Sequence, residues 1–474
     1  MKLQKLYPIL FLIVCFTVKS GAQTYINRVY NYAGTLSYNN SASGIYEYDN
    51  GDFMISGQKF YSAGFGALCF IRINAAGDTL YCERYPKPNC QYYCGASGAF
   101  IKTADSNLVQ CGAYADSSGN MDALLVKLTM SGDTLWTRTY GGAQFDNANI
   151  VCQTPDSGFV LMGVTQSYSM GTASDFYLIK TDKNGNQQWQ KNYLTASPED
   201  CVSGQITLDG GYIMSGIRNG EIFVLKADVN GTFQWLKQFS GTAGTGFVKQ
   251  LPDSSYLVVG AKSVAGYGYQ AYMAKLNPSG SAIRWQKTYG GWGDQQFYTI
   301  PVVLADGSIV VSGESQLGAY SNGLLVKTDS AGNQTWLRQY YANPSNDNYI
   351  YELKATADNG FIMAGSGNIS GQDAWVLKTD GFGCLVPDCS IGIEEEDNAG
   401  RLRVYPNPAG NILTVGLNEQ DVDAAVELIN VMGEAIKMKM NGTAIDISEL
   451  SAGVYFLTIT SRDGRQRSAR FIKQ

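Results

Sequence analysis

Tyr168, Tyr267, Tyr269, Trp292 and Tyr320 lie in stretches rich in Gly, Ser and Asn, such as VTQSYSMGTASDF, AKSVAGYGYQAY, YGGWGDQQF and ESQLGAYSNG. Such side chains offer a flat, rigid contact area with a polar edge, suited to recognising a glycan or another protein. Asp146 and Asp294 follow a Gly-Gly pair, and Asp200 and Asp347 fall near the corresponding place. Two readings of these carboxylates stand: polar ligand contacts ringing an axis, or turn caps that accept backbone N–H groups. The aromatics likewise have a plainer reading, as surface loops covering the ends of the elements beneath them.

Other chemistries are poorly supplied. The 474 residues include no histidine, which removes the commonest general base, the commonest metal ligand and every Ser-His or Cys-His nucleophile. Paired loop carboxylates remain as a route to glycan hydrolysis or elimination. The spacing of Asp182, Asn184 and Asn186 in TDKNGN is that of a calcium-loop start, but the downstream bidentate Glu is missing and sister copies such as LNPSGS lose oxygen ligands. Asp or Asn followed by Gly is also what a tight hairpin needs. No cysteine spacing fits zinc, and we expect no cofactor and no resident metal. A net charge of -6 excludes a general nucleic-acid binder.

Residues 1–22 read as a secretory signal: Lys2 and Lys5, a short apolar run from Leu6 to Val18, then Ser20-Gly21-Ala22. Val14 before Cys15 does not suit lipidation. No other stretch is apolar and long enough to span a bilayer as a helix. Export permits disulfides. Cys384 and Cys389 in CLVPDC are the first candidate pair, with Cys90–Cys94 and Cys69–Cys82 as further options.

These loops need a scaffold, and the chain repeats one. An Asp-containing turn, an apolar run and a Gly recur as DNGDFMISG, DSNLVQCG, DSGFVLMG, DGGYIMSG, DSSYLVVG, DGSIVVSG and DNGFIMAG, beginning at Asp49, Asp105, Asp156, Asp209, Asp253, Asp306 and Asp358. The spacing is 56, 51, 53, 44, 53 and 52 residues. About fifty residues holding four short strands is the size of a propeller blade. In the third copy the strands are expected over Ile150–Thr154, Phe159–Met162, Phe176–Thr181 and Gln188–Tyr193. Trp189, Lys191 and Tyr193 alternate and so share one face of the fourth strand. The set returns as Trp136/Arg138/Tyr140, Trp235/Lys237/Phe239, Trp285/Lys287/Tyr289 and Trp336/Arg338/Tyr340, and more weakly as Tyr81/Glu83/Tyr85. We expect it to fill the gap between neighbouring blades.

The seventh copy stops at Gly381 without a fourth strand. Ile26, Arg28 and Tyr30 match the missing Trp/Arg/Tyr set, so the N-terminal strand is expected to complete the last blade. The expected fold is therefore all-β: a seven-bladed β-propeller over 23–390, an acidic linker over 391–400, and a small Ig-like β-sandwich over 401–474.

Repeats of this wording resemble those of secreted bacterial propellers and, distantly, quinoprotein-type propellers. The likeness covers roughly 24–384 and implies architecture, not activity. The tail carries VYPNPAGNILTV, ELINVMGEAI, DISELSAGVYFLTI and a terminal RFIKQ, which resemble the type A C-terminal sorting domain of the type IX secretion system. That resemblance implies a Bacteroidetes-type bacterium, the secretion machinery as partner of 401–474, and release or attachment at the outer surface. The expected role is a non-enzymatic binding or adhesion module; the alternatives are an extracellular glycan hydrolase or lyase and a purely structural surface protein.

Overall fold

The computed structural model describes residues 23–30, 38–60, 66–85, 91–169, 173–193, 197–291, 293–316, 318–368, 372–386, 402–405, 409–416, 425–430, 434–438, 440–460 and 466–473. The signal segment, Cys90, Trp292, Cys389 and the 391–400 linker lie outside them. The described residues are all-β and fall into two compact units, 1–389 and 390–474.

The larger unit is a succession of antiparallel strand quartets in chain order. The third is Asp146–Gln153, Phe159–Thr165, Asp175–Thr181 and Gln187–Tyr193, each strand one to three residues longer than expected. The first two quartets are not separate. Gln91–Cys94 adds between them, pairing in parallel with Gly66 and antiparallel with Ala115, so that nine strands form one sheet. The N-terminal strand Ile26–Tyr30 pairs antiparallel with Gln372–Thr379, Arg28 opposite Val376, and supplies the seventh quartet's fourth strand. First strands of successive quartets touch in order, and Tyr38–Glu47 of the first quartet also touches Asn348–Ala355 of the seventh.

The repeated residues explain the repeated geometry. Five of the described first strands carry a register break opposite the Gly that ends the recurring motif, as at Ala148/Ile150 opposite Gly163 and at Cys201/Ser203 opposite Gly216, while in the second and sixth quartets this position is interrupted between two short strands. The bulged backbone comes so close that a Cβ on Gly163 would stand 1.9 Å from the Asn147 carbonyl oxygen. Only glycine fits there. The Asp of the motif caps its own turn and then takes a lysine from the third strand. Lys180 reaches Asp156 at 2.8 Å, and Lys127–Asp105, Lys226–Asp209 and Lys275–Asp253 repeat the pair. Lys127, Lys180 and Lys226 are buried while their aspartates stay half exposed, so the third-strand lysine and the motif Asp form a repeated, partly buried ion pair that the sequence reading passed over.

Fourth strands weld one quartet to the next. Trp136 lies edge-on to Phe159 at 6.2 Å, and Trp189–Tyr212, Trp235–Tyr256 and Trp336–Phe361 repeat the contact. The Arg138 guanidinium lies over the Trp136 ring, 5.4 Å from its centroid. Tyr140 donates to the Gly185 carbonyl at 2.7 Å, as do Tyr193 to Gly231, Tyr289 to Gly332 and Tyr340 to Gly383. Tyr30 of the N-terminal strand does the same to Gly77 of the first quartet, at 2.7 Å, and Arg28 pairs with Asp78 at 2.6 Å. Tyr85 departs from the pattern and meets the Thr137 hydroxyl instead.

The smaller unit holds two four-stranded sheets over one core of Leu413, Val415, Leu428, Ile445, Leu457, Ile459 and Phe471. Its strongest strand, Gly453–Thr460, pairs with the terminal Gln466–Lys473.

The disulfide expectations need correction. Cys69 and Cys82 are free thiols, and so is Cys94. In the ladder Cys69 faces Arg84 and Cys82 faces Ile71, so the two are offset rather than opposed. Cys384 is disulfide-bonded; its expected partner, Cys389, is outside the described residues.

Candidate functional site

Connections after first strands are uniform five-residue turns, such as 154–158 and 207–211. Those after second and fourth strands emerge at the opposite end of each quartet and vary, from two residues (Asn219–Gly220) to nine (166–174). Tyr168, Tyr267, Tyr269 and Tyr320 all belong to that end and are 36%, 46%, 41% and 43% exposed. Trp292 belongs there by sequence but is outside the described residues.

The loop carboxylates hold this end in place. Asp146 is fully buried. It accepts hydrogen bonds from the Thr165 hydroxyl, the Ser167 hydroxyl at 2.6 Å and the Gly142 N–H at 2.9 Å. Of its two readings, the ligand contact is the one to set aside: its partners make it a brace and cap within the loop. Asp294 accepts the Tyr269 N–H at 2.8 Å, and Asp347 accepts the Ser321 N–H at 2.8 Å. Asn348 plays the part of Asp146 in the seventh quartet, accepting the N–H groups of Ala342 and Asn343. Tyr168 is fixed from both sides, donating through its hydroxyl to the Gly141 carbonyl at 2.8 Å while Asn192 donates to its own carbonyl. The tyrosines thus stand on braced backbone, Tyr267 and Tyr269 beside Asp294, Tyr320 beside Asp347 and Tyr168 beside Asp146. They are spread over three quartets rather than gathered into one cluster.

Asp182 spends its carboxylate on the N–H groups of Asn184 and Asn186, at 2.8 and 2.9 Å, and on the Asn186 amide. It is a turn cap.

Below the loops lies a feature that the sequence reading missed. Residues 95–99, Gly-Ala-Ser-Gly-Ala, enter among the first strands of other quartets. The Ala96 N–H donates to the Asn149 carbonyl at 3.0 Å, the Gly98 N–H to Glu352 at 3.0 Å, and the Ile300 N–H to the Ser97 hydroxyl at 3.4 Å. One short segment therefore meets the third, sixth and seventh quartets. Its small residues are required: Gly98 has φ +92°, and a Cβ on Gly95 would be 2.6 Å from the Asn149 carbonyl oxygen. The visible signal was the run CGASGA, set in the longest interval between copies.

This plug floors a cavity of about 490 Å³ at the loop end, lined by Phe145, Asn147, Asn149, Ser174, Asp200 and Val202 among others. Its polar groups come from the bulged first strands. Asn147 donates to Asn149 at 3.1 Å, and Asn149 to the Cys201 carbonyl at 2.6 Å. The Asn147 side-chain oxygen is buried with no hydrogen-bond partner among the described residues. Asp200 meets solvent but sits recessed, and loss of bulk water raises its carboxyl above the ordinary range. Glu199 also borders the cavity, yet strand alternation turns it to the other face, where it accepts the Phe176 N–H at 3.3 Å. The site thus offers amide groups, one carboxyl group and an aromatic ring.

No curated protein matches the chain in sequence. Among solved structures, it is similar to a Dyadobacter fermentans protein of unknown function at 11% identity and TM-score 0.41, covering 63% of this chain and 94% of that one. It is similar to the polysaccharide lyase Uly1 at 10% identity and TM-score 0.42, covering 74% and 92%. A third is the extracellular domain of a putative hybrid two-component system of B. thetaiotaomicron, at 10% identity and TM-score 0.33, covering 95% and 72%. Among the described residues, no helix is long and apolar enough to cross a membrane. Residues 403–474 match the secretion system C-terminal sorting domain, so the chain carries the address of a protein exported by the type IX route to the cell surface or beyond.

Proposed function

We propose that residues 23–389 form a closed seven-bladed β-propeller whose loop end binds a glycan outside the cell without turning it over. The observation that carries the reading is the set of exposed tyrosines on carboxylate-braced loops, at the same end as a cavity lined by Asn147, Asn149 and Asp200. Amides and a carboxyl group match the hydroxyls of a sugar, and tyrosine rings match its apolar faces. Ring closure is supported by the last-to-first contacts: Tyr30 with Gly77, Arg28 with Asp78, and Ala357 N–H with Glu47 at 3.0 Å. Binding rather than hydrolysis is supported by the carboxyl groups at the cavity. Asp200 and Glu199 are adjacent on one strand and point to opposite faces, unlike a catalytic pair flanking one bond.

Affinity electrophoresis of the secreted chain through soluble polysaccharides tests this. The chain should be retarded by at least one of them. Retardation should vanish in a Tyr267→Ala/Tyr269→Ala/Tyr320→Ala variant whose melting temperature is unchanged. Equal retardation of parent and variant would reject the loop end as the binding face.

A further inference from the structure

Lys249 lies at the other end of the unit, near the end of Thr242–Gln250, the fifth quartet's first strand. The third-strand lysines reach an aspartate, as Lys180 does Asp156. Lys249 is half-buried, and its ammonium has no ion pair or hydrogen bond among the described residues. It borders a cavity of about 530 Å³ whose other walls include Leu208, Leu251, Val303 and Leu304. That volume is within the roughly 300–1,000 Å³ usual for small-molecule sites. Leu208, at 68% exposure, gives the mouth an apolar rim.

The charges around Lys249 leave it unneutralised. Burial pulls its pKa down, and the like charge of Lys354 adds to that. The Lys354 ammonium is already matched by Glu352 at 3.0 Å, and Glu352 also accepts the Gly98 N–H of the plug. Cys152 is the remaining titratable neighbour. A partly dehydrated cation without a partner is destabilising, and the penalty is relieved when a bound group supplies the counter-charge. We infer that this cavity binds a small amphiphilic anion, its carboxylate, sulfate or phosphate head paired with Lys249 and its apolar body against Leu208, Leu251, Val303 and Leu304. The site is at the opposite end from the tyrosine loops and stands or falls independently of glycan binding.

Calorimetric titration of the secreted chain with octanoate, 1-octanol and inorganic sulfate tests the inference. Octanoate should bind one to one and more tightly than either octanol or sulfate. Lys249→Met should weaken octanoate by at least about tenfold without lowering the melting temperature, because it removes an unpaired charge. Leu208→Asp, a change at an exposed side chain, should weaken it too. Co-sedimentation with phosphatidylglycerol vesicles separates a free anion from a lipid surface: octanoate binding without sedimentation is expected. Octanol binding as well as octanoate, undiminished binding in Lys249→Met, absence of octanoate binding, or sedimentation with vesicles instead would each overturn the assignment.

Discussion

At the residue scale, the repeated side chains are structural and their chemistry is internal. The Asp156 carboxyl is held at about 2 by the Lys180 ammonium and the Thr154 hydroxyl, and Asp253 at about 2 by Ser255 and Lys275. A folded-state value below the unfolded one, near 3.9 for Asp, stabilises the fold fully above the unfolded value. That contribution is lost as pH falls through about 2. The contribution of these pairs to the melting temperature should therefore be constant above about pH 5 and drop between pH 4 and 2, with a shallower drop in Asp156→Asn; an identical acid slope would show that the pair carries none of it. The glycines are stricter. A Cβ on Gly163 would overlap the Asn147 carbonyl oxygen, so Gly163→Ala should cost roughly 2–4 kcal/mol in denaturant unfolding. A cost under about 0.5 kcal/mol would mean that the bulge relaxes freely.

At the element scale, most of the scaffold was legible because each strand type has its own wording. The Asp-Gly turn, the apolar run and the Trp/Lys/Tyr alternation repeat faithfully, and Ile26-Asn27-Arg28-Val29-Tyr30 could be matched to the missing strand on three alternating positions. The parts that escaped were those that a local pattern does not encode. Gln91–Cys94 joins two quartets through long-range pairing, and the 95–99 plug meets quartets some fifty to 250 residues away in sequence, as from Gly98 to Glu352. The loop aspartates were ambiguous because ligand contact and turn cap use the same carboxylate, and only its partners separate the two. The N-terminal strand makes the sharpest element-level prediction. Removing residues 23–30 leaves Gln372–Thr379 with an unpaired edge and the Gly77 turn without Tyr30. Thermal unfolding of that truncation should shift down by many degrees, whereas Tyr30→Phe, which loses one buried hydrogen bond, should cost only about 0.5–1.5 kcal/mol. A truncation that melts with the parent would refute the role of this strand.

At the scale of the whole molecule, the two units divide the work. The C-terminal unit addresses the chain, and its removal at residue 402 should leave the protein inside the cell envelope while the larger unit still folds; fractionation that finds the truncated chain in the medium would contradict this. Among the described residues the larger unit presents a cavity of amides and a carboxyl group at the loop end, floored by the plug, and a more apolar one with Lys249 at the turn end. Rigid welds between quartets keep both in shape, since every Trp-on-aromatic contact and Tyr-to-Gly bond spans two neighbours. The measurement that goes most directly to the central claim is a glycan array probed with the secreted chain, followed by product analysis of every glycan that binds. The account predicts binding of at least one glycan with the sugar recovered intact. Cleavage of the bound glycan, or a folded chain that binds none, would contradict it.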